Sequence, residues 1–291
     1  MKRRTFIRCG IAAAGGACLD LHDFPHHVFA AAAPKRAQDV VTLGRSGIRV
    51  SRLAQGTGTH GYNKSSNQIR NLGDKGLADL LVEGVDNGLS LWDLADGYGS
   101  HRHAKLALQT VKRDRVTIMT KTAARTEQQM RADLDRFRSE IGSDQIDIVL
   151  LHALGSADWT GQRAGAMAVL TEAKSKGVIR AHGCSCHDLG AMRTAAASDW
   201  VDVDLARLNP AQILMDGTPE TIVSVLRTMK QAGKGVIGMK ILGEGQLRNR
   251  VDEALQFALA QDVLDGFTIG AESPAELQDL LKRIPAASVR G

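Results

Sequence analysis

The sequence predicts an α/β fold, a (β/α)8 TIM barrel preceded by a β-hairpin, and two observations lead to this class. From about residue 51 onward, short runs rich in β-branched residues alternate with amphipathic helical segments. Eight such strand–helix units fit into the 291 residues, which is the number and the size of a (β/α)8 barrel. A doubly wound open sheet is the alternative, but it rarely contains eight consecutive units.

The barrel domain is predicted to span residues 38–288 and to begin with a hairpin at 40–50. Its eight strands are predicted at 51–56, 89–94, 116–121, 146–152, 179–185, 201–208, 235–241 and 266–270. Helical segments between the strands include 74–88 and 127–142. No internal repeat other than the strand–helix period is present, so a single domain is expected.

The segment 127–142 illustrates how the helices are assigned. Met130, Leu134 and Phe137 recur at i, i+4 and i+7, which places them on one face of a helix. Gly142 follows the last apolar residue and suits a helix C-cap. An amphipathic helix is therefore expected to pack its apolar face against the barrel.

The first 33 residues resemble a twin-arginine export signal. Arg3 and Arg4 are followed by an apolar run rich in Ala and Gly, and the segment 29–34 offers an Ala-x-Ala cleavage site near Ala32 or Ala33. The alternatives are a merely basic N-terminus or lipoprotein processing at Cys18. We expect export to the periplasm by the twin-arginine translocation machinery, which carries proteins that have already folded.

Charge and hydropathy exclude several classes of partner. The net charge is +5, but four basic and two acidic residues lie in 1–33, which leaves 33 basic and 30 acidic residues in the rest of the chain. Nucleic-acid binding requires a clustered basic face, so no nucleic acid is expected. No apolar run reaches the ~18 residues that a membrane span needs. We expect a monomer whose partner is a small molecule.

Four ionisable side chains fall at three successive predicted strand ends, where barrels carry their chemistry. Asp93 ends the second strand, Tyr98 lies on the loop beyond it, Lys121 ends the third strand and His152 ends the fourth. A phenol has a pKa of about 10, and a nearby ammonium group should lower that pKa. Such a set could polarise a carbonyl group and protonate the resulting alkoxide.

These residues give the chain its resemblance to the aldo-keto reductase family, over roughly residues 40–285. The Asp-x-Ala-x-x-Tyr-Gly motif of the family stands here as DLADGYG at 93–99, followed by Lys121 and His152. The resemblance implies NAD(P)H-dependent reduction of a carbonyl, or oxidation of an alcohol. Tyr98 would be the general acid/base, Lys121 would tune its pKa, Asp93 would pair with Lys121, and His152 would orient the substrate.

The cofactor-binding half departs from the family pattern. The resemblance implies nine cofactor-binding residues: Gly56, Thr57, Ser185, Cys186, Lys240, Leu242, Gly243, Gly270 and Ser273. However, Cys186 replaces the usual Asn, Leu205 the usual Gln, and Met239 the aromatic residue that stacks on nicotinamide. Glu272 replaces the Arg that binds the adenosine 2′-phosphate. A carboxylate should repel that phosphate, so NADH is expected to be favoured over NADPH.

The departures leave two further interpretations open. The barrel could bind a small ligand without redox chemistry, or it could use the four catalytic residues for an acid/base isomerisation. A metal centre is not expected, although His182, Cys184, Cys186 and His187 lie close together in sequence. Ligands two residues apart on one strand do not match a recognised zinc spacing.

Overall fold

The computed structural model of the protein describes residues 33–288. The predicted export signal therefore lies almost entirely outside the described residues. Within them, eight parallel strands close into a barrel, and a two-stranded antiparallel hairpin precedes it. The predicted (β/α)8 class and the hairpin are both confirmed.

The strands agree with the predicted ones to within a few residues. The hairpin consists of β1 and β2, and the barrel runs in the order β10-β3-β4-β5-β6-β7-β8-β9. The bounds are β1 Val40–Leu43, β2 Ile48–Ser51, β3 Leu53–Gly56, β4 Leu91–Asp93, β5 Thr117–Thr122, β6 Ile146–Leu154, β7 Ile179–Cys186, β8 Val203–Arg207, β9 Gly235–Met239 and β10 Gly266–Ile269.

The described helices surround the barrel. Their bounds are α1 Asn67–Asp86, α2 His101–Ala107, α3 Glu127–Ile141, α4 Trp159–Gln162, α5 Ala164–Ser175, α6 Leu189–Ala197, α7 Pro219–Gln231, α8 Val251–Ala260 and α9 Pro274–Ser288. Within these residues, no helix is both long and apolar enough to cross a membrane.

Local signals explain where helices begin and end. Helix α3 begins with a capping box between Thr126 and Gln129 and ends at Gly142, whose φ of 73° is left-handed, as predicted. Helix α1 begins earlier than the predicted residue 74, because Ser66 caps it, and Gly73 then breaks its helical geometry with a φ of 65°. The first turns were not part of the predicted helix, although Ile69 and Leu72 in them pack against the core.

Alternation along the strands divides the buried residues into two layers. An inner cluster fills the barrel with one or two side chains from each of the strands β3 to β9: Ala54, Leu91, Met119, Ile148, Leu150, Ala181, Val203, Leu205, Ile237 and Met239. The hairpin residues Leu43, Ile48 and Val50 belong to the same cluster and cover the N-terminal end of the barrel. Each fully buried side chain of this size contributes about 1.5–3 kcal/mol. The opposite, C-terminal end remains open to a cavity.

Strands β7 and β8 approach each other closely at Gly183. A Cβ atom at this position would lie 1.8 Å from the carbonyl oxygen of Val203, its register partner on β8. No side chain can be accommodated at that distance, so glycine is required for the two backbones to pair. The pairing of the C-terminal half of β7 with the beginning of β8 depends on this contact.

We therefore expect Gly183→Ala to lower the free energy of unfolding by about 3 kcal/mol or more, since overpacking in a closed core forces backbone shifts. Gly155→Ala is the matched control, because a Cβ there meets nothing within 4 Å. Urea denaturation followed by circular dichroism measures both. Equal midpoints for the two variants would refute the steric argument.

Candidate active site

The barrel brings the four predicted catalytic residues together at its C-terminal end. Asp93 ends β4, Lys121 lies in β5, His152 lies in β6, and Tyr98 lies on the 3-10 turn that follows β4. The Lys121 ammonium lies 4.7 Å from the centre of the Tyr98 ring. The Tyr98 and His152 rings meet edge to face, with 5.6 Å between their centres.

The Lys121 side chain is completely buried, and two groups compensate for the loss of water. Its Nζ atom donates to the Asp93 carboxylate and to the Leu94 carbonyl oxygen, the latter at 2.9 Å. A buried charge without a partner would cost several kcal/mol. The second oxygen of Asp93 accepts a 3.0 Å hydrogen bond from the Thr268 hydroxyl on β10. Thr268 thus fixes the partner of Lys121, and the sequence analysis did not identify it.

The phenol of Tyr98 is held under a glycine-rich loop. A Cβ at Gly58 would lie 2.2 Å from the Tyr98 ring, and a Cβ at Gly61 would lie 2.4 Å from it. Any larger residue at these positions would force the ring or the loop to move. The loop after β3 therefore shields Tyr98 from solvent.

This burial decides the protonation state of Tyr98. Desolvation raises the pKa of the phenol, and the neighbouring Lys121 charge, which acts in the opposite direction, does not overcome it. The expectation that Lys121 would bring this pKa below its usual value is therefore wrong, because the effect of burial on the phenol is larger than that of the Lys121 charge. Burial is the largest single influence on the pKa of Lys121 and acts to lower it, but the charges and hydrogen bonds of Asp93 and Tyr98 together outweigh it, and the net shift is upward.

His152 is neutral in this environment. Burial lowers its pKa to about 3, and the positive charge of Lys121 acts in the same direction. The neighbouring His187 ring, 6.4 Å away, has a pKa lowered to about 4 by burial and by Arg207. The site therefore combines one buried cation, one protonated phenol and a neutral imidazole, a set that can donate hydrogen bonds and a proton to an oxygen atom.

A cavity of about 700 Å³ extends from Asp93 and Tyr98 across the ends of β3, β9 and β10 to the start of α9. Four of the nine predicted cofactor-binding residues line it: Gly56, Lys240, Leu242 and Gly270. The volume is within the range of small-molecule sites. Met239 also lines the cavity, and it simultaneously packs in the inner barrel cluster.

The remaining five predicted cofactor-binding residues do not line this cavity. Thr57 is buried and donates to the Asp93 carbonyl oxygen at 2.8 Å, so it supports the strand end. Gly243 packs against Ile213, and Ser273 accepts from the Glu276 amide at 3.2 Å, which caps α9.

Ser185 and Cys186 point to opposite sides of β7. Ser185 shares the inward face with Ala181, and its hydroxyl is buried without a hydrogen-bond partner in the described part of the chain. Cys186 belongs to the outer cluster between the barrel and the helices. The predicted cofactor contact of Cys186 is therefore not supported, because strand alternation turns its thiol away from the barrel interior.

Charged residues at the cavity wall form a bridge that sequence reasoning missed. Glu244 accepts from Lys240 at 2.6 Å and from the backbone amide of His60 at 3.1 Å. The bridge ties the loop after β3 to the loop after β9. The sequence could indicate it only weakly, through Lys240 and Glu244 at a spacing of four.

Glu272 lies on the cavity wall near α9. Its carboxylate accepts from the side-chain amides of Asn67 at 2.7 Å and Asn71 at 2.8 Å, both on α1. The Glu276 carboxylate accepts a hydrogen bond from the backbone amide of Glu272. In a capping box it would accept from the backbone amide of Ser273 instead. Glu272, Glu276 and Asp279 together give this end of the cavity a negative wall.

Comparison with known proteins gives consistent matches. The family model described as Aldo/keto reductase family matches residues 56–262. A D-threo-aldose 1-dehydrogenase from a Pseudomonas species is 24% identical over 277 residues, which cover 83% of this chain and 78% of that protein.

Two solved structures show the same fold. PA4992 of Pseudomonas aeruginosa, assigned to the aldo-keto reductases, has a TM-score of 0.72 at 22% identity, covering 88% of this chain and 98% of that chain. An aldo-keto reductase from Klebsiella pneumoniae in complex with NADPH has a TM-score of 0.64 at 18% identity, covering 85% and 89%. Because the family model spans well over half of the sequence, the chain belongs to the aldo/keto reductase family of oxidoreductases.

Proposed function

We propose that the protein reduces the carbonyl group of a small molecule, or oxidises the corresponding alcohol, with a nicotinamide cofactor. The observation that carries this proposal is the buried Lys121–Asp93 pair, which lies directly against the Tyr98 ring at the end of the cavity. A structural ion pair would not require a phenol and a neutral imidazole facing the same space. The arrangement is that of a proton donor beside a bound oxygen atom.

Each residue then has a defined role. Tyr98 donates its phenolic proton to the carbonyl oxygen as negative charge develops there, and Lys121 stabilises the resulting phenolate. Asp93 keeps Lys121 charged, and Thr268 keeps Asp93 in place. His152, being neutral, donates one hydrogen bond to the substrate oxygen and orients it without competing as an acid.

Three features of the chain fit a bound nicotinamide cofactor. The hydroxyl of Ser185 is buried, faces the barrel interior and has no partner among the described residues, so it is free to bind a carboxamide. Gly56 and Gly270 line the cavity, and their lack of a side chain lets β3 and the end of β10 pack closely there, since a Cβ at either position would clash with neighbouring protein atoms. A nicotinamide ring bound there would supply the hydride for reduction. Lys240 and Arg248 are the cations on the wall that could contact its phosphates.

The substrate is proposed to be a small hydroxy or carbonyl compound. The Pseudomonas relative is named a D-threo-aldose 1-dehydrogenase, so the first candidate substrate is an aldose that is oxidised at carbon 1. Oxidation would need the phenolate form of Tyr98 to accept the hydroxyl proton, and the raised pKa of this phenol disfavours that form at neutral pH. Aldoses and their lactones are therefore the substrates with which to begin.

We also propose that NADH is preferred over NADPH and that the protein acts after export to the periplasm. The cofactor preference is supported by Glu272, whose carboxylate lies on the cavity wall with two more acidic residues nearby. The export proposal is supported by Arg3, Arg4 and the Ala-rich cleavage site.

We expect Tyr98→Phe to lower kcat by at least a hundredfold and to leave cofactor affinity unchanged, because it removes only the proton donor. The other tyrosine of the chain gives the control: Tyr62 is 75% exposed, and Tyr62→Phe should keep full activity. Steady-state kinetics and fluorescence titration with the cofactor separate the two effects. Full activity in Tyr98→Phe would remove Tyr98 from the chemistry.

Saturable binding of nicotinamide cofactor, measured on protein from which any bound small molecule has been removed, separates the reductase from the ligand-binding and isomerase interpretations. We expect NADH to bind more tightly than NADPH, and Glu272→Gln to improve NADPH affinity relative to NADH by up to about tenfold, which corresponds to ~1.4 kcal/mol. Glu220→Gln, exposed on α7 and outside the cavity, controls for net charge. NADPH affinity tenfold above that of NADH in the wild type would overturn the preference.

The rate of carbonyl reduction should be flat from about pH 6 to pH 9. His152, with a pKa of about 3, is neutral throughout this range, and Tyr98 stays protonated until the pH rises through its raised pKa. The pH profile of kcat/KM with saturating cofactor tests this. An acidic or a basic limb inside the range would assign the proton transfer to another group.

A further inference from the structure

Three buried ligand atoms converge on the outer side of the barrel wall, away from the catalytic cavity. Cys184 and Cys186 come from β7 and Asp204 from β8, and each is completely buried. The two sulfur atoms are 3.8 Å apart. The Asp204 Oδ1 atom lies 3.3 Å from the Cys184 sulfur and 3.9 Å from the Cys186 sulfur.

The register of the two strands creates this cluster. Cys184 pairs with Asp204 across β7 and β8, and alternation places Cys186 on the same outward face as Cys184. Both thiols pack in the outer core between the strands and the helices. Ser185, between them, faces the opposite way.

The cluster contains a polar atom that lacks a partner. Asp204 Oδ2 is buried and accepts no hydrogen bond from any described residue. The two thiols offer only weak S–H donors to the other oxygen. A buried carboxylate with such weak compensation is costly, so the cluster calls for a stronger ligand than a thiol proton.

The distances match those that a tetrahedral zinc ion imposes. With Zn–S bonds of about 2.3 Å, two sulfur ligands at a tetrahedral angle are about 3.8 Å apart. With Zn–O bonds of about 2.0–2.2 Å, a sulfur and an oxygen ligand are about 3.5 Å apart. The observed separations of 3.8, 3.3 and 3.9 Å lie around these values.

Charge and ligand type favour a divalent, thiophilic ion. Two thiolates and one carboxylate carry three negative charges. A zinc ion neutralises two of them, so one negative charge remains. Lys234 is buried and interacts electrostatically with both Cys184 and Asp204, although burial lowers the pKa of its ammonium group. Thiolates select zinc over the hard ions Mg²⁺ and Ca²⁺.

A second group of candidate ligands, Asp96, His101 and Glu140, lacks these properties. Arg136 binds both Asp96 at 2.5 Å and Glu140 at 3.1 Å, and His101 already bonds Glu140 and Thr120. Its charges are neutralised and its ring nitrogens are engaged, so it forms a structural network between α2, α3 and the loop after β4.

We propose that Cys184, Cys186 and Asp204 form a zinc site in which the two sulfurs and the Asp204 carboxylate bind one Zn²⁺. The ion would join the C-terminal end of β7 to the beginning of β8 from outside the barrel. The end of β7 also carries Ser185 and His187, which face the barrel interior. The zinc ion would keep these two residues in position but would take no part in the reaction. The proposal stands apart from the oxidoreductase function.

The test uses the reduced, metal-stripped full-length chain in a Cys9→Ser/Cys18→Ser background, which leaves Cys184 and Cys186 as the remaining cysteines. Cadmium is the spectroscopic probe, because its thiolate charge-transfer band does not report on histidines. We expect one Cd²⁺ per chain with two thiolate ligands, displacement by one Zn²⁺, and a higher melting temperature with Zn²⁺.

Matched variants locate the site. Cys184→Ser/Cys186→Ser should abolish the band, and Asp204→Asn should weaken Zn²⁺ binding by at least the ten- to hundredfold that loss of an outer-shell partner costs. His182→Gln, on the same face of β7, should retain binding. X-ray absorption on the wild-type zinc form needs no variant, and it should show two sulfur neighbours at about 2.3 Å with lighter neighbours at about 2.0–2.2 Å.

Three results would overturn the proposal. The first is the absence of a charge-transfer band with one equivalent of Cd²⁺, and the second is a zinc environment without sulfur. The third is a Cys184–Cys186 disulfide that forms in the purified protein and is not prevented by Zn²⁺. Zinc bound with full affinity by the double serine variant would place the ion elsewhere in the chain.

Discussion

The Lys121 ammonium is completely buried at the mouth of the barrel, and the surrounding residues are arranged to compensate for that burial. A charge removed from water requires an opposite charge and well-placed acceptors. Asp93 and the Leu94 carbonyl provide them, and Thr268 reaches from β10 to hold the second Asp93 oxygen. The strands β4, β5 and β10 must therefore end at the same level along the barrel axis, and only the closed barrel ensures this. Tyr98 then lies against a cation whose position cannot vary.

The same dryness sets the chemistry of the site. Burial raises the pKa of Tyr98 and lowers that of His152, so the phenol and the imidazole beside it are neutral at physiological pH while Lys121 is charged. A site of this kind stabilises negative charge on an oxygen atom that enters it, because no water screens the ammonium. The catalytic end of the cavity is built for one role, whereas its far end, with Glu272 on the wall, departs from the usual phosphate-binding pattern of the family.

Much of the fold and part of the site were predictable from local patterns. All eight barrel strands, the hairpin and the end of α3 at Gly142 followed from apolar runs and turn residues, which depend on neighbours in sequence. The four predicted catalytic residues were found because three of them lie at predicted strand ends and Tyr98 lies on the loop just beyond one of them. Thr268 was not found, since a threonine at a strand end has no distinguishing pattern until the barrel closes and brings β10 near β4. Cys186 was placed in the cofactor site by analogy, and strand alternation turned it outward.

The sequence by itself determined the number of strand–helix units, the positions where ionisable residues end the strands, and the family. These properties are encoded in short segments, in which hydrophobic periodicity and motif spacing do not depend on the rest of the chain. Only the tertiary structure decided that Tyr98 remains protonated, that Ser185 faces the interior with a free hydroxyl, and that Asp204 lies beside Cys184 and Cys186. The physical reason is that burial and inter-strand register arise when distant segments pack together, and neither is determined by any single segment.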